Sequence, residues 1–67
     1  MIEVSVNGET RRIPPDATVA ALLDQMQLTG KRLAVERNGE IVPKGRHGAT
    51  TLLAGDKLEI VVAVGGG

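Results

Sequence analysis

The chain of 67 residues closes on Gly65-Gly66-Gly67, and the group with the clearest chemistry is the carboxylate of Gly67. Glycine has no Cβ, so a run of it is slender enough to enter a channel that a branched residue would block. A carboxylate is a poor electrophile, yet once joined to AMP as an acyl adenylate it can be attacked by a thiol, an amine or a sulfide. A glycine run by itself is equally compatible with an unstructured end, so the reading depends on what stands in front of it.

Other reactive groups are sparse. The sequence has no cysteine, which removes disulfides, thiol nucleophiles, zinc fingers and cysteine-ligated iron–sulfur clusters together. Its single histidine, His47, lies between Arg46 and Gly48, far in sequence from any group that would recruit it for catalysis, and is expected to be solvated. Arg11, Arg12, Lys44 and Arg46 could meet an acidic partner if folding gathers them, although separate solvated charges are the simpler expectation. No nucleophile with an adjacent base, no carboxylate pair and no metal-ligand cluster can be assembled, so the chain is not expected to be an enzyme.

Composition narrows the partners. Phe, Tyr and Trp are absent, so bases have no aromatic platform to stack on. Eight Lys plus Arg balance eight Asp plus Glu, without the basic excess that phosphate binding requires, and no nucleic acid is expected. No long apolar run resembles a signal peptide or membrane span, which predicts a cytoplasmic protein with no membrane partner. At this length one small domain is expected, with a core of Ile, Leu, Val, Ala and Met.

The elements that must position the glycines follow from periodicity. Ile2, Val4 and Val6 alternate with polar residues as one face of a strand, and Asn7-Gly8 supplies a two-residue hairpin turn. The returning strand, Glu9 to Ile13, carries charges suited to a sheet edge. After Pro14-Pro15, Thr18 or Asp16 can cap a helix whose apolar stripe is Val19, Leu22, Leu23 and Met26, with an exit at Thr29-Gly30. A strand from Arg32 to Arg37 turns at Asn38-Gly39 into the short strand Ile41-Val42, which Pro43 ends. Lys44 to Thr51 reads as a surface loop, Leu52 and Leu53 return to the core, and a turn at Ala54-Gly55-Asp56 leads to a last strand, Lys57 to Val64.

The first and last strands are the most apolar and are expected to lie at the centre of the sheet as a parallel pair bridged by the helix region. The result is an α+β, β-grasp (ubiquitin-like) arrangement: a mixed four- to five-stranded sheet with one main helix on one face. Residues 1–64 would form this domain and 65–67 a flexible glycine tail. Val61 and Ala63 fall on the strand face away from the helix, where they could dock a partner while the tail enters its active site.

Thr18-Val19-Ala20-Ala21-Leu22-Leu23, Asn38-Gly39-Glu40-Ile41-Val42-Pro43, Gly55-Asp56 and Ala63-Val64-Gly65-Gly66-Gly67 together resemble the ThiS family of thiamine-biosynthesis sulfur carriers along essentially the whole chain. The family's terminal Gly-Gly corresponds to Gly66-Gly67, with Gly65 as a spacer. The resemblance implies that a ThiF-like enzyme adenylates Gly67 with Mg-ATP, which the carrier itself does not retain. A persulfide relay fed by a cysteine desulfurase then converts the carboxylate to a thiocarboxylate at Gly67. A ThiG-like thiazole synthase would take the sulfur, with Gly65, Gly66, Val64, Ala63 and Val61 at the interface. A MoaD-like carrier for molybdopterin uses the same tail chemistry, but such relatives tend to be longer and to contain aromatic residues. A carrier for cysteine synthesis or tRNA thiolation, a ubiquitin-like modifier and a plain binding module also remain open.

Overall fold

The computed structural model describes residues 1–63. Strands β1 (Ile2–Val6) and β2 (Glu9–Ile13) form a hairpin, helix α1 (Val19–Gln25) follows, and β3 (Leu33–Arg37) and β4 (Glu40–Val42) form a second hairpin before β5 (Lys57–Val62). The five-stranded sheet has the order β2-β1-β5-β3-β4. β5 runs parallel to β1 and antiparallel to β3, so the first and last strands are the central parallel pair and β2 is an edge, as the apolar patterns require. This is a β-grasp fold.

Alternation decides which face each strand buries. Val4 and Val6 of β1, Ile13 of β2, Val35 of β3, and Leu58 and Ile60 of β5 close over Val19, Leu22 and Leu23 of the helix. Met26, the fourth member of the helical stripe, is half-buried against the same core. Thr18 is the N-cap, its hydroxyl accepting from the Ala21 amide at 3.1 Å. That bond satisfies one of the amide donors that a helix start leaves without an internal partner.

The helix ends differently from the sequence expectation. Gly30 does take a positive φ of 84°, but the chain leaves the helix earlier, at Gln27 with φ 60°. The Gln27 amide donates to the Asp24 carbonyl at 3.0 Å and the Leu28 amide to the Leu23 carbonyl at 2.8 Å. These two reversed bonds and the packing of Leu28 on the core make a Schellman ending in which a non-glycine residue occupies the left-handed position. The apolar contact outweighs the modest strain at Gln27.

Residues 44–53 also depart from expectation. Lys44–Arg46 is a short 3-10 turn, and the segment behind it is pinned to the helix entry. The Val19 amide donates to the Thr50 carbonyl, the Leu52 amide to the Ala17 carbonyl and the Ala20 amide to the His47 carbonyl, at 3.0, 2.9 and 2.9 Å. Leu52 is fully buried, but Leu53 is 59 % exposed, not in the core. In extended backbone, neighbours point to opposite sides, so only one of the two leucines can face inward.

The turn before β5 is built on Asp56, one of the few buried charged residues. Its carboxylate accepts from the Leu53 amide at 2.8 Å and the Asn38 amide group at 3.0 Å, and the Arg37 Nε lies 3.3 Å away. A buried carboxylate is tolerated when its lone pairs are occupied in this way.

Candidate functional site

The last described residues of the chain rise from the middle of the sheet. Val62 is half-buried against the core, and the Ala63 amide donates to the Arg32 carbonyl at 2.8 Å, carrying the β3–β5 ladder one residue beyond the strand. β1 flanks β5 at Lys57 and Leu58 and, through the Asn7 side chain, at Ile60, while the β3 side flanks it as far as Ala63, so pairing on the β3 side sets the position and direction of the root. Val64, Gly65, Gly66 and Gly67, including the proposed reactive residue and the end of the predicted strand, lie outside the described residues.

Beside that root the face away from the helix carries an exposed apolar strip. Val61 is 67 % exposed and sits opposite Ala34 of β3, which is also exposed. One register step along, Ile41 of β4 is 61 % exposed and stands opposite Glu36, which in turn faces Glu59 of β5. Ala63 is exposed as well. Val61 and Ala63 are therefore accessible, as their alternation predicted, while Ala34 and Ile41 were missed. Their signal was present: each is one of two or three adjacent apolar residues in a strand, so at least one per strand must face outward, but only the register says which. The Glu36–Glu59 pair puts like charges directly across two strands, an arrangement that costs stability in isolation.

The other singled-out side chains have structural places. His47 is only 9 % exposed, which corrects the expectation of a solvated ring. Its Nε2 lies 3.1 Å from the Val42 carbonyl; a carbonyl can only accept, so that nitrogen carries the proton and ties the 3-10 segment to β4. The four basic residues do not gather into one patch. Arg11 and Arg12 belong to β2 at one edge of the sheet, whereas Lys44 and Arg46 follow β4 at the other. Among the described residues, no group of three or more His, Cys, Asp or Glu could hold a metal ion. No helix among them is long and apolar enough to cross a membrane.

The described geometry is thus a rigid β-grasp scaffold that presents one strand end beside an apolar strip, without assembled catalytic side chains. Comparison with known proteins gives this arrangement a family. The sequence model of the ThiS family matches residues 4–67. The chain belongs to the ThiS family. The sulfur carrier protein ThiS of Bacillus subtilis is 40 % identical over 65 residues, covering 96 % of this chain and 98 % of that protein. The crystal structure of the thiamine biosynthesis protein ThiS from Geobacter metallireducens superposes with a TM-score of 0.82 at 29 % identity, covering 98 % of this chain and 100 % of that one. A thiazole synthase of Paramagnetospirillum magneticum is 44 % identical over 66 residues, which are 98 % of this chain but 20 % of that protein. This ThiS-family chain therefore spans about a fifth of the length of that relative.

Proposed function

We propose that the chain is a sulfur carrier in thiamine (thiazole) biosynthesis and that its reacting group is the Gly67 carboxylate. The observation that carries the reading is the combination at the end of β5: a fixed strand root, an exposed apolar strip beside it, and Gly65-Gly66-Gly67 beyond. Membership of the ThiS family and the high coverage of the Bacillus subtilis carrier support the sulfur assignment over other uses of an activated carboxylate.

In this scheme the domain is a recycled cosubstrate and the chemistry belongs to its partners. A ThiF-like enzyme seats the strip formed by Val61, Ala63, Ala34 and Ile41 and draws Val64, Gly65 and Gly66 into its channel. A Gly67 carboxylate oxygen attacks the α-phosphorus of Mg-ATP, and pyrophosphate leaves. The outer sulfur of a persulfide, supplied through a cysteine desulfurase, attacks the acyl carbon and expels AMP, which carries away the oxygen. A thiol then attacks the inner sulfur of the resulting acyl disulfide and breaks the S–S bond that the persulfide brought, leaving a thiocarboxylate and a disulfide. The thiocarboxylate sulfur is the nucleophile that a ThiG-like thiazole synthase accepts, consistent with the likeness of this chain to part of a thiazole synthase. The Glu36–Glu59 pair would be relieved by a basic group on the activating enzyme.

Intact mass spectrometry tests the reading. Incubation with a ThiF-like enzyme, Mg-ATP and a persulfide source is expected to add the mass of sulfur replacing oxygen at Gly67, and a thiazole synthase with its substrates should remove it. Deleting Gly66 and Gly67 should abolish the gain and leave the amide spectrum of residues 1–63 unchanged. Discharge by a molybdopterin synthase alone would reassign the pathway. An unmodified mass, with an enzyme active on another carrier, would refute sulfur carriage.

A further inference from the structure

On the helix side of the sheet a cavity of about 370 Å³ opens between the exit of α1 and the segment around Lys44–Gly48. Its volume lies in the range of specific binding pockets, roughly 300–1,000 Å³. Leu23, Leu28 and Leu33 contribute an apolar floor, and Lys31, Arg32 and Lys44 form the rim. No Asp or Glu lines it. The carboxylate of Asp24, on the adjoining helix, accepts from the hydroxyl of the lining residue Thr29 at 3.4 Å and offsets part of the rim's charge. The chain has eight Lys plus Arg against eight Asp plus Glu, so three cations around one cavity without a lining carboxylate are a local excess within a neutral protein.

We propose that this cavity docks an acidic segment of a protein partner, which places an apolar side chain on the leucine floor and carboxylates against Lys31, Arg32 and Lys44. The division of labour follows from exposure. All three cations are solvent-exposed, where they steer and select a partner more than they bind it. Leu23 is buried and Leu28 and Leu33 are half-buried, so an inserted apolar group supplies the affinity. The site also has a place in the assembly. The Arg32 carbonyl accepts from the Ala63 amide, so the basic rim adjoins the root of the terminal segment, and a protein gripping that root has the rim within reach. The inference stands apart from the sulfur chemistry, since it requires no modification of Gly67; Arg32, bonded to Ala63, is where the rim and the strip meet.

The test is an amide-resolved NMR titration of the full chain with the blocked tripeptide Glu-Phe-Asp, and with Gln-Phe-Asn as its neutral match. The acidic peptide is expected to shift the amides of Leu28, Gly30, Leu33 and Gly48 saturably, and the neutral peptide to bind about tenfold more weakly or less. A Lys31→Gln, Arg32→Gln, Lys44→Gln variant should lose the acidic preference. Should that variant misfold, raising salt from about 0.05 to 0.5 M must weaken acidic binding to the native chain, because exposed charges are screened. Absence of saturable shifts, equal response to both peptides, or shifts confined to the strip would overturn the proposal. So would shifts at Leu28 and Gly48, away from the cut, on deleting residues 64–67, which would give the cavity to the chain's own tail, or pocket shifts on raising protein concentration, which would give it to a second copy. Equal shifts with inorganic phosphate would reduce it to a simple anion site.

Discussion

Asn7-Gly8 and Asn38-Gly39 are the same dipeptide in the same left-handed turn, with φ of 51° and 87° in the first and 52° and 87° in the second. Both asparagines reach the central strand β5, yet they hold it by different physics. Asn7 follows the end of β1 and uses its side chain as if it were another residue of that strand. Its Oδ1 accepts from the Ile60 amide at 2.8 Å and its Nδ2 donates to the Ile60 carbonyl at 3.1 Å. Asn38 follows β3 and divides its amide between backbone and charge: Oδ1 accepts from the Lys57 amide at 2.9 Å, and Nδ2 donates to the Asp56 carboxylate at 3.0 Å. A residue chosen for a turn because it tolerates positive φ has thus been given a second task, and the task is set by what β5 presents to it.

The difference predicts opposite rankings for two kinds of substitution. Asn38→Asp should be the most damaging, because it sets a second carboxylate against Asp56. We expect a loss of about 3 kcal/mol at neutral pH, the low end of the scale for disrupting a buried charge, because Asn38 itself is exposed and solvent screens part of the repulsion. Two adjacent carboxylates resist joint ionisation, so the variant's deficit relative to the native chain should shrink as pH falls through the carboxylate range. Asn7→Asp faces a carbonyl dipole instead and keeps the bond from the Ile60 amide, so its loss should be smaller. Urea unfolding of both variants between neutral and acidic pH measures this, and equal losses would mean that the Asp56 contact contributes nothing special.

Truncation to alanine should reverse the order. Asn7→Ala strips both polar backbone groups of Ile60 on the β1 side, each worth roughly 1–3 kcal/mol when buried without a partner; about 3 kcal/mol in total is expected. Asn38→Ala releases an exposed Lys57 amide to water and leaves Asp56 its other donors, so about 1 kcal/mol is expected. Smallest and most alike should be Gly8→Ala and Gly39→Ala. An added Cβ meets nothing within 4 Å at either site, so only the backbone penalty of positive φ remains, roughly 1–2 kcal/mol each. A clear inequality between them would show that the turns themselves, and not only their asparagines, are in different environments.

Much of this frame was legible in the sequence because it rests on local rules. The turn dipeptides, the Thr18 cap, the Val19, Leu22, Leu23 stripe and the inward alternation of Leu58 and Ile60 are each decided by a few neighbouring residues. What escaped was decided across the fold. His47 is buried because its segment is stitched to the helix entry through Ala20 and to β4 through Val42. Gln27 ends the helix because Leu28 finds the core. Asp56 reads as an ordinary turn residue until Arg37 and Asn38 come beside it. Of the candidate site, exposure of Val61 and Ala63 followed from period two, whereas Ala34 and Ile41 joined the strip only through strand register. The basic cavity had no sequence signal, since Lys31, Arg32 and Lys44 meet only when the helix exit and the 3-10 turn pack together.

The parallel pairing of Ser5 and Val6 with Lys57 and Leu58 has a consequence for the birth of the protein. A chain emerges from the ribosome with its N-terminus first, and here the second strand of the central pair follows every other described strand. The inner edge of β1 has no strand partner until β5 inserts between β1 and β3, and closing so long a loop comes late and slowly. A copy abandoned before β5 has neither a finished sheet nor an apolar strip, and it is left open to proteolysis. Translation through β5 is therefore the step that completes at once the central pair and the exposed strip beside it.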